Sequence, residues 1–291
     1  MSSESASLER LTQGLSSVAV SMAYSAPVDG LAHIRVYPPV AGRANEAPRR
    51  ERHDVQVYDC RSIAHLLDMD VAGFSLQRAP TQFDDFFNAE AVREHYYPEV
   101  VAVLRERLKA KAVYVFDHNV RSQPRSDRKQ PGVRAPVDGA HNDYTLASGP
   151  RRIEEILTEN GAAHLIGKRA ALVNLWRPLR GPVQDHPMAV CDARTTRLDD
   201  FIPTRIEHYL EDNLETPHLT GEVYSFRHSA AHRWFFASDM QPEEVLLLKC
   251  FDTADDGTAR FTGHTGFKNP MCPPDFLPRE SIEARTVVVY E

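Results

Sequence analysis

GEVYSFRHSAAHRWFFASDMQPEEVLLLKCFDTADDGTARFTGHTGF (221–267), followed by SIEARTVVVY (281–290), is the stretch that decides the fold. It breaks into short runs rich in β-branched and aromatic residues: GEVYSFRH (221–228), HRWFFAS (232–238), EVLLLKCFD (244–252), ARFTGHTGF (259–267) and SIEARTVVVY itself. Turn signals separate most of them, which predicts a succession of short strands. ALVNLWRPL (171–179), MAVCDAR (188–194), AVYVFDH (112–118) and VQVYDCR (55–61) read the same way. Helical spacing is confined to 89–110, where Val100, Val103, Leu104 and Leu108 recur and Pro98 marks a break or second start, to RRIEEILTENGAAHLI (151–166), and to LDDFIPTRIEHYLEDNL (198–214). Many short strands with few helices predict a mainly β protein with flanking helices, built on an eight-stranded jelly roll.

Residues 1–54, ending in the polar GRANEAPRRERHD (42–54), are expected as a partly irregular arm, and 55–291 as a single domain. Residues 121–140 are polar and rich in Arg, Pro and Gly, and read as a long loop of the kind that often serves as a lid. Of 291 residues, 42% are hydrophobic and 26% charged, enough for a sizeable core. The net charge of −7 is spread along the chain without a long basic run, which argues against a nucleic-acid partner. Cys60, Cys191, Cys250 and Cys272 are far apart with no CxxC, so free thiols in a reducing compartment are expected. The acidic start lacks the basic n-region of a secretory signal, and no apolar run is long enough to span a membrane. A cytoplasmic protein with a small-molecule ligand is the expectation.

His141-Asn142-Asp143 is the first feature that asks for chemistry. On an extended segment residues i and i+2 share a face, so one imidazole and one carboxylate project together while Asn142 turns away. A third ligand from another strand completes a 2-His-1-carboxylate facial triad with open positions for oxidant and co-substrate. With 13 histidines and 41 acids such a triplet also arises by chance, and the C-terminal context is what raises it. His264 sits between apolar strand residues and a Gly-containing turn, and Arg279-Glu280-Ser281 opens the last strand 15 residues later. Arg279, Ser281, Glu283 and Arg285 share one face, opposite Ile282 and Ala284. A charged inward face is costly unless paired with an anion. A dicarboxylate co-substrate fits: one end chelates the metal, and the far carboxylate takes an Arg contact plus a hydroxyl hydrogen bond.

HRWFFASDMQPEEVLLLKCFD, then ARFTGHTGF and PRESIEARTVVVY, with NLWRPLRGPVQDHPMAVCDART (174–195) and VFDHNVRS (115–122), resemble the fungal and bacterial hydroxylase/desaturase group of 2-oxoglutarate oxygenases. That group includes gibberellin desaturase-like enzymes and the cephamycin-pathway 7α-hydroxylase component. The resemblance covers roughly residues 55–290. It implies a double-stranded β-helix core, Fe(II) at His141, Asp143 and His264, and 2-oxoglutarate near Arg279 and Ser281, with O2 as oxidant. It further implies hydroxylation or desaturation of a small secondary-metabolite scaffold, with succinate and CO2 as co-products. The RxS pattern favours Arg279 as the anchor of the far carboxylate, with Arg285 as the alternative.

Around this set, Asn174 shares a strand face with Trp176 and is a candidate to orient a ligand or the co-substrate. Arg177, on the adjacent position, is a further candidate for co-substrate contact. Tyr144 is placed to line a pocket. His228 and His232 are rival third ligands, with His232 read as a structural histidine at a strand end. Asp117-His118 with Arg121 reads as a structural network, and Tyr96-Tyr97 as packing. Two other classes of function remain beside the oxygenase: a zinc-dependent hydrolase on the same triad, for which the RxS strand has no use, and a non-enzymatic jelly-roll binding protein, which leaves the triad without purpose.

Overall fold

The computed structural model describes residues 11–38 and 42–291. Two sheets face each other across an apolar interior. Among the described residues the larger has nine strands, in the spatial order β1 (Ser17–Ser25), β3 (Arg50–Asp59), β12 (Trp234–Phe236), β9 (Met188–Cys191), β14 (His264–Gly266), β7 (His141–Asn142), β11 (Leu219–Phe226), β10 (Phe201–His208) and β2 (Ala32–Val36). The smaller has six: β4 (Phe74–Arg78), β13 (Glu244–Asp252), β8 (Ala170–Pro178), β15 (Glu280–Val289), β5 (Ala112–Ser122) and β6 (Val133–Arg134). The two curled sheets form the expected double-stranded β-helix.

β8 and β13 are nearly continuous apolar runs because both of their faces are covered. Toward the opposite sheet they present Leu172, Trp176, Leu246 and Leu248, which pack with Trp234, Phe235 and Phe226. On the outer face Val173, Leu175, Val245 and Leu247 pack with Val100 and Leu104 of α1 (Tyr97–Leu108). The helical region begins as expected at residue 89, where the Asn88 side chain accepts from the backbone N–H groups of Glu90 and Ala91 at 3.2 Å each. A π-helical turn over Val92–Tyr96 intervenes, and Pro98 falls in the first turn of α1, where its missing N–H costs nothing. A second helix, α2 (Ser148–Glu159), buries Ile153, Ile156 and Leu157. No helix among the described residues is long and apolar enough to cross a membrane.

Three expectations change. The helix expected over 198–214 is instead β10: Ile202, Thr204 and Ile206 alternate at strand period, and Pro203 lies just before the part of β10 that pairs with β2, where no N–H is needed. The N-terminal arm contributes more strand than expected, since β1, β2 and the first half of β3 belong to the nine-stranded sheet; residues 1–10 and 39–41 lie outside the described residues. The long loop at 121–140 is shorter than read, because β5 runs to Ser122 and is followed by a helical turn (Gln123–Asp127) and by β6.

The Leu247 side chain is fully buried between the smaller sheet and α1. Leu247→Ala is expected to cost about 2–5 kcal/mol. In urea titrations this appears as a lowered midpoint with an unchanged slope.

Candidate metal centre

β7 is two residues long, held between β14 and β11, with His141 directly opposite His264. Directly paired residues point to the same face, so the two imidazoles stand side by side with ring centroids 4.5 Å apart. Each ring is fixed by its own backbone. His141 Nδ1 lies 2.9 Å from the Gly139 carbonyl, and His264 Nδ1 lies 2.9 Å from the Thr262 carbonyl. A carbonyl oxygen can only accept, so each Nδ1 carries a proton and each Nε2 is the nitrogen turned toward a metal. Asp143 follows at the end of β7. One ligand atom from each of His141, Asp143 and His264 lies within 4.8 Å of the other two, and no second such group occurs among the described residues.

The intervening Asn142 turns away, as expected, and pins the segment. Its fully buried amide donates to the carbonyls of Tyr144 (2.7 Å) and Cys250 (2.8 Å) and accepts from Thr262 N–H. The Asp143 carboxylate is oriented from the opposite sheet: Asn174 Nδ2 donates to its Oδ2 at 2.7 Å, and Arg285 Nη2 lies 3.3 Å from the same oxygen. Burial alone would raise the Asp143 carboxyl, but the Arg285 charge, with His264 and His141, holds it well below the usual carboxylate range. Burial and the neighbouring His264 push His141 down to about 4. At neutral pH the cluster therefore offers a carboxylate and a neutral His141 ring, with no proton to displace from either. Two imidazole nitrogens and one carboxylate on one face fit iron(II) and leave positions for further ligands.

Arg279 lies just ahead of β15, with 2% of its surface exposed. Its Nη1 donates to the His186 carbonyl at 2.7 Å, its Nε has no partner, and no described carboxylate lies within ion-pairing distance of the guanidinium. Burial, with the like charge of Arg121 added, draws it down to about 10, so it remains a cation at neutral pH. The guanidinium occupies space beside Gly266, where a Cβ would stand 3.2 Å from Nη1. Gly266 is two residues beyond His264 on the same strand face, so an unpaired buried cation lies next to the metal cluster. Ser281 is buried on the same face of β15, opposite Arg121. A cavity of about 830 Å³ opens onto His141, Asp143, Tyr144 and Arg285.

The structure thus brings together His141, Asp143, His264, Asn174 and Arg285, with Arg279 and Ser281 alongside. Arg177 is a correction. It lies on the outer face of β8, donating to Tyr96 Oη (2.7 Å) and to the Pro242 carbonyl (2.5 Å), because residues 174 and 177 on a strand face opposite ways. His232 is a buried core histidine, its Nε2 3.1 Å from Asp200 and its ring stacked on Phe226, and His228 stacks on His53. Sequence reasoning missed the cavity walls supplied by β1, β2 and α2, among them Tyr24, Ile34 and Arg152. It also passed over Gly266, although a glycine at i+2 from a ligand was a readable sign of a group needing that space.

A family model described as an oxidoreductase/YMDC permease-like domain matches residues 22–289. The hydroxylase/desaturase efuI of Hormonema carpetanum is 32% identical over 251 residues, covering 81% of this chain and 83% of that protein. The chain belongs to this oxidoreductase family, that of the Fe(II)/2-oxoglutarate-dependent hydroxylase/desaturases. A further relative, the Fe(II)/2-oxoglutarate-dependent dioxygenase nvfI of Aspergillus novofumigatus, is 29% identical over 244 residues, with 81% and 83% of the two chains covered. The solved structure of the iron and α-ketoglutarate-dependent endoperoxidase NvfI aligns with a TM-score of 0.82 at 25% identity, covering 94% of this chain and 98% of that one. Membership of this dioxygenase family sets aside the hydrolase and the non-enzymatic readings.

Asn174→Ala is the sharpest test of how the Asp143 ligand is held, because the other amide atom, Asn174 Oδ1, has no partner to lose. Fe(II) affinity, titrated anaerobically, is expected to fall about 10–100-fold. Unchanged affinity would show that Arg285 alone orients the carboxylate.

Proposed function

We propose that this enzyme is an Fe(II)/2-oxoglutarate-dependent dioxygenase that hydroxylates or desaturates a small secondary metabolite, with His141, Asp143 and His264 as the iron ligands. Iron and 2-oxoglutarate, when bound, supply the oxidant for an unactivated C–H bond, consuming O2 and yielding succinate and CO2. The chain's own residues do the rest. The Gly139 and Thr262 carbonyls fix the imidazole tautomers, and Asn174 and Arg285 aim the carboxylate. Arg279, with Ser281 on the same face, is the anchor for the far carboxylate of 2-oxoglutarate, and the walls of the cavity hold the substrate and limit water.

The observation that carries this reading is Arg279: a buried guanidinium without a carboxylate partner, adjacent to a His-Asp-His cluster. Burying an unpaired cation is costly, and a dicarboxylate co-substrate relieves that cost in a way that a zinc hydrolase has no need of. Arg285, the alternative anchor, is already engaged with Asp143, Asp117 and Glu283. Four unpaired cysteines support the reducing, cytoplasmic compartment expected from the sequence.

The test is succinate release from 2-oxoglutarate by the Fe(II)-loaded protein with ascorbate, in the absence of substrate. Asp143→Ala is expected to abolish it. Arg279→Gln is expected to raise the KM for 2-oxoglutarate at least about tenfold, the size of a lost hydrogen bond to a charged group. Arg285→Gln is expected to weaken iron retention instead, leaving the 2-oxoglutarate KM of the iron-loaded fraction within about threefold, since second-shell losses act on metal affinity. A larger KM effect at Arg285 would reverse the two assignments.

A further inference from the structure

Among the described residues six arginines line the cavity above the metal cluster; three of them pair with carboxylates, and a fourth, Arg50, is held by a main-chain carbonyl alone. Arg285 pairs with Asp143, Asp117 and Glu283. Arg151 and Arg152 share Glu155, and Arg50 donates to the Asp138 carbonyl. The remaining two, Arg121 and Arg134, are directly paired residues on the neighbouring parallel strands β5 and β6, so their side chains leave the sheet side by side. Arg121 donates to the Ala135 carbonyl at 2.8 Å, and neither guanidinium has a described carboxylate within ion-pairing distance.

Two adjacent cations with no carboxylate at ion-pairing distance repel each other; Arg121 is half-buried and Arg134 exposed. Burial lowers Arg121; Glu283 and Asp143 oppose this, and Arg285 and Arg134 add to it. His208 of β10, another lining residue, is likewise pushed down by burial and by Arg134. This corner of the cavity is therefore built for an anion. Arg279 does not line the cavity, although Arg121 stands close enough to lower it, so Arg134 is the member of the pair farther from the co-substrate anchor. The rest of the wall is mixed: Ile34, Phe116, Tyr144, Ile206 and Val223 form an apolar and aromatic set, beside the carboxylates Asp117, Glu155 and Glu222.

We infer that the substrate is an apolar scaffold bearing a carboxylate, with the carboxylate held between Arg121 and Arg134 and the scaffold lying along the apolar wall toward His141 and Asp143. This rests on the dioxygenase reading and specifies the substrate class for the same site. The volume of about 830 Å³ suits a fused-ring or similarly bulky scaffold. A single anionic contact at one end and non-directional packing along the rest would set which carbon faces the metal, because rotation about the anchored end is limited by the walls.

The test uses 1-pyrenebutyric acid and its methyl ester as probes, followed by pyrene fluorescence against the anaerobic Fe(II)·2-oxoglutarate enzyme and, in parallel, the metal-free protein. The acid is expected to bind at least about tenfold more tightly than the ester. Arg134→Gln and Arg121→Gln are each expected to weaken the acid about tenfold and leave the ester unchanged. In Arg134→Gln the 2-oxoglutarate concentration needed for half of the Fe(II)·2-oxoglutarate charge-transfer band is expected to match the unaltered protein. Equal binding of acid and ester, an acid preference that survives both substitutions, or failure of both probes to bind overturns the inference. A marked rise in the 2-oxoglutarate requirement of Arg134→Gln does so too, since it would give the pair to the co-substrate. Absence of the band in the unaltered protein would instead count against the dioxygenase reading, while the acid preference is still read on the metal-free protein.

Discussion

The site depends on the register between β7 and β14, two of the shortest strands in the molecule. With His141 directly opposite His264, two imidazoles share a face, and each is locked to the carbonyl two residues upstream on its own segment. A one-residue slip on either strand would turn one imidazole out of the cavity and bring Asn142 or a neighbour in. The register is secured by Asn142, which ties the segment to Cys250 of the opposite sheet and to Thr262 beside it. Asp143 is then aimed by Asn174 of β8 and Arg285 of β15. The ligands come from the nine-stranded sheet and the groups that orient the carboxylate from the six-stranded one. The metal cluster therefore joins the two halves of the sandwich, and the apolar packing between them also sets the geometry of the site.

Much of this was legible from the sequence where a residue's period matched its environment. The strand period of HxD, the apolar runs of β8 and β13, and the charged face of β15 each state their orientation directly. The arm at 1–54 and the segment at 198–214 were not legible, for one reason: both are peripheral strands with mixed polarity. Phe201–His208 carries apolar residues at spacings compatible with either a helix or a strand, and only pairing with β11 and β2 decides between them. Arg177 illustrates a second limit. Its strand was correctly read, but which face meets the metal depends on the other sheet, and Tyr96, read as packing, supplies the hydroxyl that accepts from Arg177 on the outer side.

Charge distribution separates the functions of the arginines. Where a guanidinium has carboxylates in reach, as Arg285 does, it is structural glue for a ligand. Where it is buried and lacks one, as at Arg279, or stands beside a like charge in the cavity, as at Arg121 and Arg134, a small-molecule anion is the partner we propose. The two unmet sites lie in different places, one beside Gly266 and one on the cavity wall.

The most direct measurement is iron-edge anomalous diffraction from crystals grown anaerobically with Fe(II) and 2-oxoglutarate. One iron peak is expected within coordinating distance of His141 Nε2, His264 Nε2 and an Asp143 oxygen, with the far carboxylate of 2-oxoglutarate on the Arg279 guanidinium. Iron bound elsewhere, or a co-substrate carboxylate seated on Arg285 with Arg279 untouched, would contradict it.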